Sequence, residues 1–192
     1  MPTTANKVKF GLKNVYYAPA TVAADGTATY GTPVHIPGAV NLALDPQGST
    51  STFRADNIDY WTGTTNNGYS GDLEMALIPD DFRQAILGEF VDTNSVQVEE
   101  VINTTNYFAL LFQFEGDVNA VRHVMYKCTA TRPSVSSTTT PSDEIEPQTE
   151  TVTITCGAIH IEALNKDVVK AKVDASQTTQ YSTWFESVYL PA

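Results

Sequence analysis

Three histidines (His35, His123, His160) and two cysteines (Cys128, Cys156) have the widest chemical range in this sequence of 192 residues. A zinc site would need such residues at ligand spacing, and a nucleophilic site would need a base beside the Cys or Ser. Neither pattern occurs: the histidines are scattered, and neither cysteine has a Cys or His partner at the CxxC kind of spacing. His160 lies between Ile159 and Ile161, which predicts a solvent-facing or edge position on a strand. Asp80 and Asp81 would suit acid–base work, but they stand directly before Phe82, where acids mark the start of a helix. Gly68-Tyr69-Ser70-Gly71 reads as a turn, without the strand-then-helix frame of a phosphate loop. Nucleophile-elbow, Walker, dinucleotide and EF-hand patterns are absent from the sequence. The expectation is therefore no enzyme, no cofactor and no metal. For Cys128 and Cys156 two readings stand: small buried side chains in strands, or a disulfide. Nothing in the sequence indicates the oxidising compartment that the second requires.

Eleven Lys and Arg stand against 22 Asp and Glu, a formal net charge of -11. That balance argues against a tightly held nucleic acid or anionic membrane, because both need a basic surface. The longest strongly apolar run, Tyr107–Phe112, is far short of the ~20 residues a bilayer span requires. Met1–Lys13 has no apolar stretch after its lysines, so the expectation is synthesis in a cytoplasm without export by the general route.

The elements that would position any site are strands. Phe108, Leu110, Phe112 and Phe114 alternate, predicting a strand with one face buried and the other only partly so. Arg122–Ala130 repeats the period with Val124, Tyr126, Cys128 and Ala130 on one face. Asp25-Gly26 predicts a hairpin in which both residues take positive φ. Val121–Thr131 and Thr151–Glu162 flank the polar, acidic segment 134–150, which is either a hairpin tip or a boundary between domains; strands of similar length on both sides favour the tip. Pairing those strands sets Cys128 opposite Cys156 and Arg122 near Glu162. The phase change from Val152, Ile154 and Cys156 to Ile159 and Ile161 fits either a bulge at Gly157 that keeps one core face, or two short strands. A helix is expected over Pro79–Leu87, with Phe82, Ala85 and Ile86 inward and Gly88 as the stop. Ala163–Val169 is a weaker helical candidate.

Two segments are rich in aromatic residues without being regular core. Asn41–Gly71 is polar and glycine-bearing, yet carries Phe53, Tyr60, Trp61 and Tyr69. It reads equally as an interface device or as a surface hairpin folded back on its own sheet. The tail from Asp174 ends in Trp184, Phe185 and Tyr189, which are expected to dock on this subunit or on another. These seven aromatics are the candidate subunit interface.

Lys9-Phe10-Gly11-Leu12-Lys13-Asn14-Val15-Tyr16-Tyr17-Ala18 resembles the N-terminus of the phi13-type major tail protein family, the tail tube proteins of tailed phages of Gram-positive hosts. The resemblance continues through Ile36–Leu42, Asp45-Pro46-Gln47-Gly48 and Ala55-Asp56-Asn57. It is strongest at Asn67–Glu74 and Ala76–Arg83, and beyond Asn94 it is one of pattern only. It implies a mainly β fold, a β-sandwich or barrel-like tail tube domain spanning 1–192 with one flanking helix near Pro79–Leu87. It also implies a long inter-subunit loop at 45–68 and a C-terminal arm at 174–192. Such a subunit forms hexameric rings that stack into the tube of a long, non-contractile tail. An inner sheet lines the channel. The implied partners are other copies of itself, a tape measure protein, and tail terminator or distal tail proteins, with DNA only in transit. The implied location is the virion, after assembly in the host cytoplasm. The acidic charge agrees, since a conduit for DNA should not hold phosphate. Lys7, Lys9 and Lys13 are either a basic track or, as expected, part of an interface or a solvated strand face. The alternative function is a carbohydrate- or host-surface-binding β-sandwich module, with Tyr60, Trp61 and Tyr69 as stacking platforms.

Overall fold

The computed structural model describes residues 8–101, 105–116, 119–139 and 147–192. Lys7 and the centre of the expected acidic tip, 140–146, lie outside them. In chain order the first half runs β1 (Leu12–Val22), β2 (Ala28–Tyr30), β3 (Val34–His35), β4 (Ala39–Pro46), β5 (Thr50–Ala55), β6 (Ile58–Thr64) and β7 (Tyr69–Met75). A helix α1 (Asp80–Phe82) follows and continues as a π turn, Arg83–Leu87. Then come β8 (Phe90–Val91), β9 (Gln97–Val98), β10 (Tyr107–Phe114), β11 (Arg122–Ala130), β12 (Glu150–Gly157) and β13 (Ile159–Ile161). A 3-10 turn at Glu162–Leu164, β14 (Lys166–Val168), β15 (Lys170–Val173) and α2 (Thr178–Thr183) complete the order.

The protein is mainly β, as its period-two patterning requires. A nine-stranded antiparallel sheet has the order β2-β1-β10-β11-β12-β7-β4, with β3 added to β1 and β15 to β11. β4 also lies against β1, so the sheet curls round an apolar interior. That interior takes Tyr17, Leu73, Phe108, Leu110, Val152 and Ile154 from four strands. The helix closes one end of it. Pro79 enters with extended dihedrals, Asp80 and Asp81 occupy the first turn, and Gly88 ends the π turn at φ 74°. Phe82 sits edge-on to Tyr17 at 5.1 Å and to Phe108 at 5.6 Å. Phe82, Ile86 and Leu87 are buried, Ala85 only half so. Glu150 ties this corner together: one oxygen accepts from the Ile78 amide at 2.8 Å, and Arg83 reaches the carboxylate at 3.1 Å.

Several expectations need correction. The odd face of β10 is buried as well, because Ala109 and Leu111 belong to a second apolar cluster with Val124, Tyr126, Ile159 and Trp184. β11 does not keep one face throughout. Phe108 lies opposite Cys128 but Leu110 opposite Met125, so one extra residue bulges there, putting Cys128 in the first cluster and Tyr126 in the second. Cys128 does lie opposite Cys156, both as buried free thiols, but Arg122 lies opposite Val173 because β15 takes over that edge of β11 from β12. There is no single-core bulge at Gly157. Cys156 faces the first cluster and Ile159 and Ile161 the second, with β13 pairing β14 as a separate ribbon. Ala163–Val169 is a 3-10 turn and a strand rather than a helix. At the first hairpin only Gly26 has positive φ; the Gly26 amide donates to Ala23 O, and the Asp25 carboxylate accepts from the Thr27 amide at 2.9 Å.

Candidate interaction surfaces

The expected long loop is a paired ribbon. β5 and β6 form a two-stranded sheet of their own, joined by Asp56 and Asn57, both at positive φ (52° and 63°), the two-residue turn whose twist suits a hairpin. At its root the Gln47 amide donates to Gly68 O and the Asn67 amide to Gln47 O, each at 2.8 Å. Gly68 has φ 90°, and a Cβ there would come within 1.9 Å of the Cys156 carbonyl oxygen, so only glycine lets the ribbon leave the sheet at this point. Phe53 pairs with Trp61 and Arg54 with Asp59, leaving Tyr60 as a bulge residue. The Trp61 indole lies over Gly63, where a Cβ would clash with it at 2.2 Å. Phe53, Ile58, Tyr60 and Trp61 are 57–69% exposed. A free two-stranded ribbon is marginal in water, and this one keeps its rings outside the core.

Tyr69 is not on the ribbon's tip but at its root, where its hydroxyl accepts from Lys170 Nζ at 2.6 Å. It does not share one stacking surface with Tyr60 and Trp61. Beside it the curled sheet opens in a cavity of about 230 Å³, floored by Leu42, Leu44, Phe112 and Phe114 and reached by Lys9, Lys170 and His123. His123 stacks on Phe112 at 5.1 Å, and Lys9 Nζ lies 4.6 Å above the Phe114 ring. Lys13 pairs with Glu115 at 3.4 Å, so Lys9 and Lys13 do different work.

The outer face of β4, β7 and β12 is polar in three rungs: Asn41–Glu74–Thr151, Ala43–Asp72–Thr153 and Asp45–Ser70–Thr155. Thr153 donates to Asp72 at 2.7 Å, and Thr149 to Glu74 at 2.6 Å. Every charge in those rungs is negative, and the alternate residues Leu42, Leu73, Val152 and Ile154 point into the core. The sequence contains this alternation in each strand; what it withholds is that the three strands are neighbours.

The C-terminal aromatics lie on their own chain. Trp184 is 2% exposed, and its Nε1 donates to His123 O at 3.3 Å. Phe185 stacks on Tyr16 at 4.8 Å, while Tyr189 stacks on Trp184 at 5.6 Å and its carbonyl accepts from the Tyr126 hydroxyl at 3.0 Å. The Arg122 guanidinium, 3.7 Å over the Tyr181 ring and 4.7 Å from that of Phe185, clasps the arm and donates to Tyr181 O. Burial pushes the phenols of Tyr30 and Tyr126 well above their ordinary range, so both stay neutral hydroxyls beneath it.

The remaining candidate groups are dispersed. His160 Nδ1 meets Asp167 at 2.8 Å on the surface, His35 leans on Tyr16, and burial raises the Cys128 thiol pKa beside Cys156. Among the described residues no group of three or more His, Cys, Asp or Glu is placed to hold a metal. No described helix is long and apolar enough to cross a membrane.

No family model matches this chain, and no curated protein does. Among solved structures, it is similar to the anti-feeding prophage cap (the AFP tube-terminating cap, by cryo-EM) at 11% identity and a TM-score of 0.44, over 91% of this chain and 99% of that one. A likeness that shallow settles neither fold nor function.

Proposed function

We propose that the chain is a structural subunit of a bacteriophage tail tube, assembling into hexameric rings that stack to form a conduit for DNA ejection. The observation that carries the proposal is the three-rung outer face of β4, β7 and β12, which offers threonines and carboxylates and no cation. Such a face suits a lumen: its own hydrogen bonds satisfy it, and its negative field repels phosphate. The β5–β6 ribbon leaves from the same strands and presents Phe53, Tyr60 and Trp61, the pattern of an element that a neighbouring copy covers. The sequence resemblance over the first half supports the same assignment. On this reading the protein is a scaffold without catalytic role, cofactor or metal. It resides in the virion, and its partners are its own copies, the tape measure protein and the proteins at the tube ends.

Electron microscopy of concentrated protein tests it: rings or tubes are expected. A stable monomer that binds glycans through Tyr60 and Trp61 would overturn it in favour of a carbohydrate-binding module.

A further inference from the structure

The strand registers give the molecule two ends of opposite charge. Leu12 opposite Phe114, Cys156 opposite Tyr69 and Arg122 opposite Val173 define one end, the open mouth of the curled sheet. Ala39 and Glu150, both opposite Met75, define the other, where the helix and the β8–β9 ribbon lie. Lys9, Lys13, Lys170 and Lys172 are exposed at the mouth. Of the carboxylates at this end, Glu115 and Asp174 are engaged by Lys13 and by the Ser176 turn, and Asp45 stands exposed beside the root of the β5–β6 ribbon. Lys9 and Lys170, which flank the cavity, have aromatic partners, Phe114 and Tyr69, and no carboxylate at ion-pair distance among the described residues.

At the helix end the sign reverses. Asp80, Asp81, Glu99 and Glu100 are exposed, and the cations Arg83 and Arg132 are already paired, with Glu89 and Glu150 and with Glu99. Leu77, Phe90, Val91 and Val96 stand exposed among these acids. One end thus offers a cationic rim over an apolar floor, and the other an acidic rim around apolar side chains.

We infer that the mouth of one subunit receives the helix end of a second copy, with the β8–β9 ribbon against the cavity and Glu100, next to the Arg132-bridged Glu99, facing Lys9 and Lys170. The contact is head-to-tail and uses two different surfaces, so each added copy offers the end that the next one needs. This rests on the tube reading and adds which ends meet.

Charge exchange tests it on the full chain. Lys9→Glu/Lys170→Glu should leave a folded monomer, checked by circular dichroism and Tm, and raise the protein concentration needed for tubes by about tenfold or more. Glu99→Lys/Glu100→Lys should do the same. Mixing the two variants should restore tubes, because each then offers the end the other needs. If the charge reversal lowers Tm, Lys9→Gln/Lys170→Gln replaces it, with the same rise expected at smaller size. Wild-type tubes with undiminished assembly of the lysine variant, or no recovery on mixing, would overturn this inference alone. A wild-type chain that stays monomeric at every concentration would overturn the tube reading with it.

Discussion

The β5–β6 ribbon and the C-terminal arm carry similar loads of aromatic side chains, yet one stands off the molecule and the other lies flat upon it. The difference is in the sheet beneath each. Under the arm the face of β10 and β11 offers Ala109, Leu111, Val124 and Tyr126, which must be covered, and Arg122 clasps what covers them. Around the ribbon's root the outer face of β4, β7 and β12 is threonine and carboxylate, whose groups bond one another. Rings laid there would desolvate Asp72 and Glu74 with nothing in return, so the ribbon has no apolar surface of its own chain to fold back on. An aromatic segment becomes core or interface according to the face it can reach.

The sharpest way to break this comparison is a pair of truncations. Trp184→Ala should cost the free subunit about 3–5 kcal/mol, since a fully buried ring leaves a cavity. Trp61→Ala should shift monomer stability by less than about 0.5 kcal/mol, as exposed sites do, and abolish assembly. Denaturant unfolding alongside sedimentation reads both, and equal losses of monomer stability would erase the distinction. Next in size is Arg122→Met, expected to cost about 1–2 kcal/mol through lost ring contacts and to raise protease sensitivity after Asp174. Replacing the ribbon, 48–67, with a short turn should leave a folded monomer that forms no tubes.

The polar face sharpens the comparison through DNA. Tubes should not retain duplex DNA in filter binding at any salt, whereas Asp72→Lys tubes should retain it increasingly as salt falls, through counterion release. Retention by the unmodified tube that disappears when Lys7 and Lys13 become glutamine would mean a basic channel instead. The smallest expected effect concerns turns. Asp25, Asp92 and Asp174 have carboxyl pKa values below the ordinary 3.8, chiefly through hydrogen bonds from Thr27, Val96 and Ser176 respectively. A lowered folded-state pKa contributes stability above the unfolded value that fades as pH falls through the folded one. Stability should therefore decline below about pH 4, and Asp25→Asn should flatten that decline slightly in acid titrations followed by circular dichroism.

The strands, the Pro79–Leu87 helix, the Cys128–Cys156 register and the aromatic character of both segments were legible in the sequence, because period, capping residues and hairpin symmetry are local or nearly so. Where the aromatics came to rest was not legible. Trp184 and Trp61 sit in equally polar neighbourhoods of sequence, and only the covering of the second face of β10 separates them. The bulge in β11 was hidden for a related reason. Val124, Tyr126, Cys128 and Ala130 alternate without a break, and an extra residue in the ladder reveals itself only against a partner strand. Nor could Arg122 be placed by counting from the centre of 134–150, since a distant strand, β15, competes for the same edge. By itself the sequence determined a chain of acidic, alternating strands with one short helix, since side-chain period and charge are properties of neighbours along the chain. Tertiary structure alone decided that β10 and β11 are buried on two faces, that the polar faces of three other strands lie side by side, and that cations gather at one end and acids at the other. Those follow from which strands pair, and pairing depends on contacts between residues far apart in sequence.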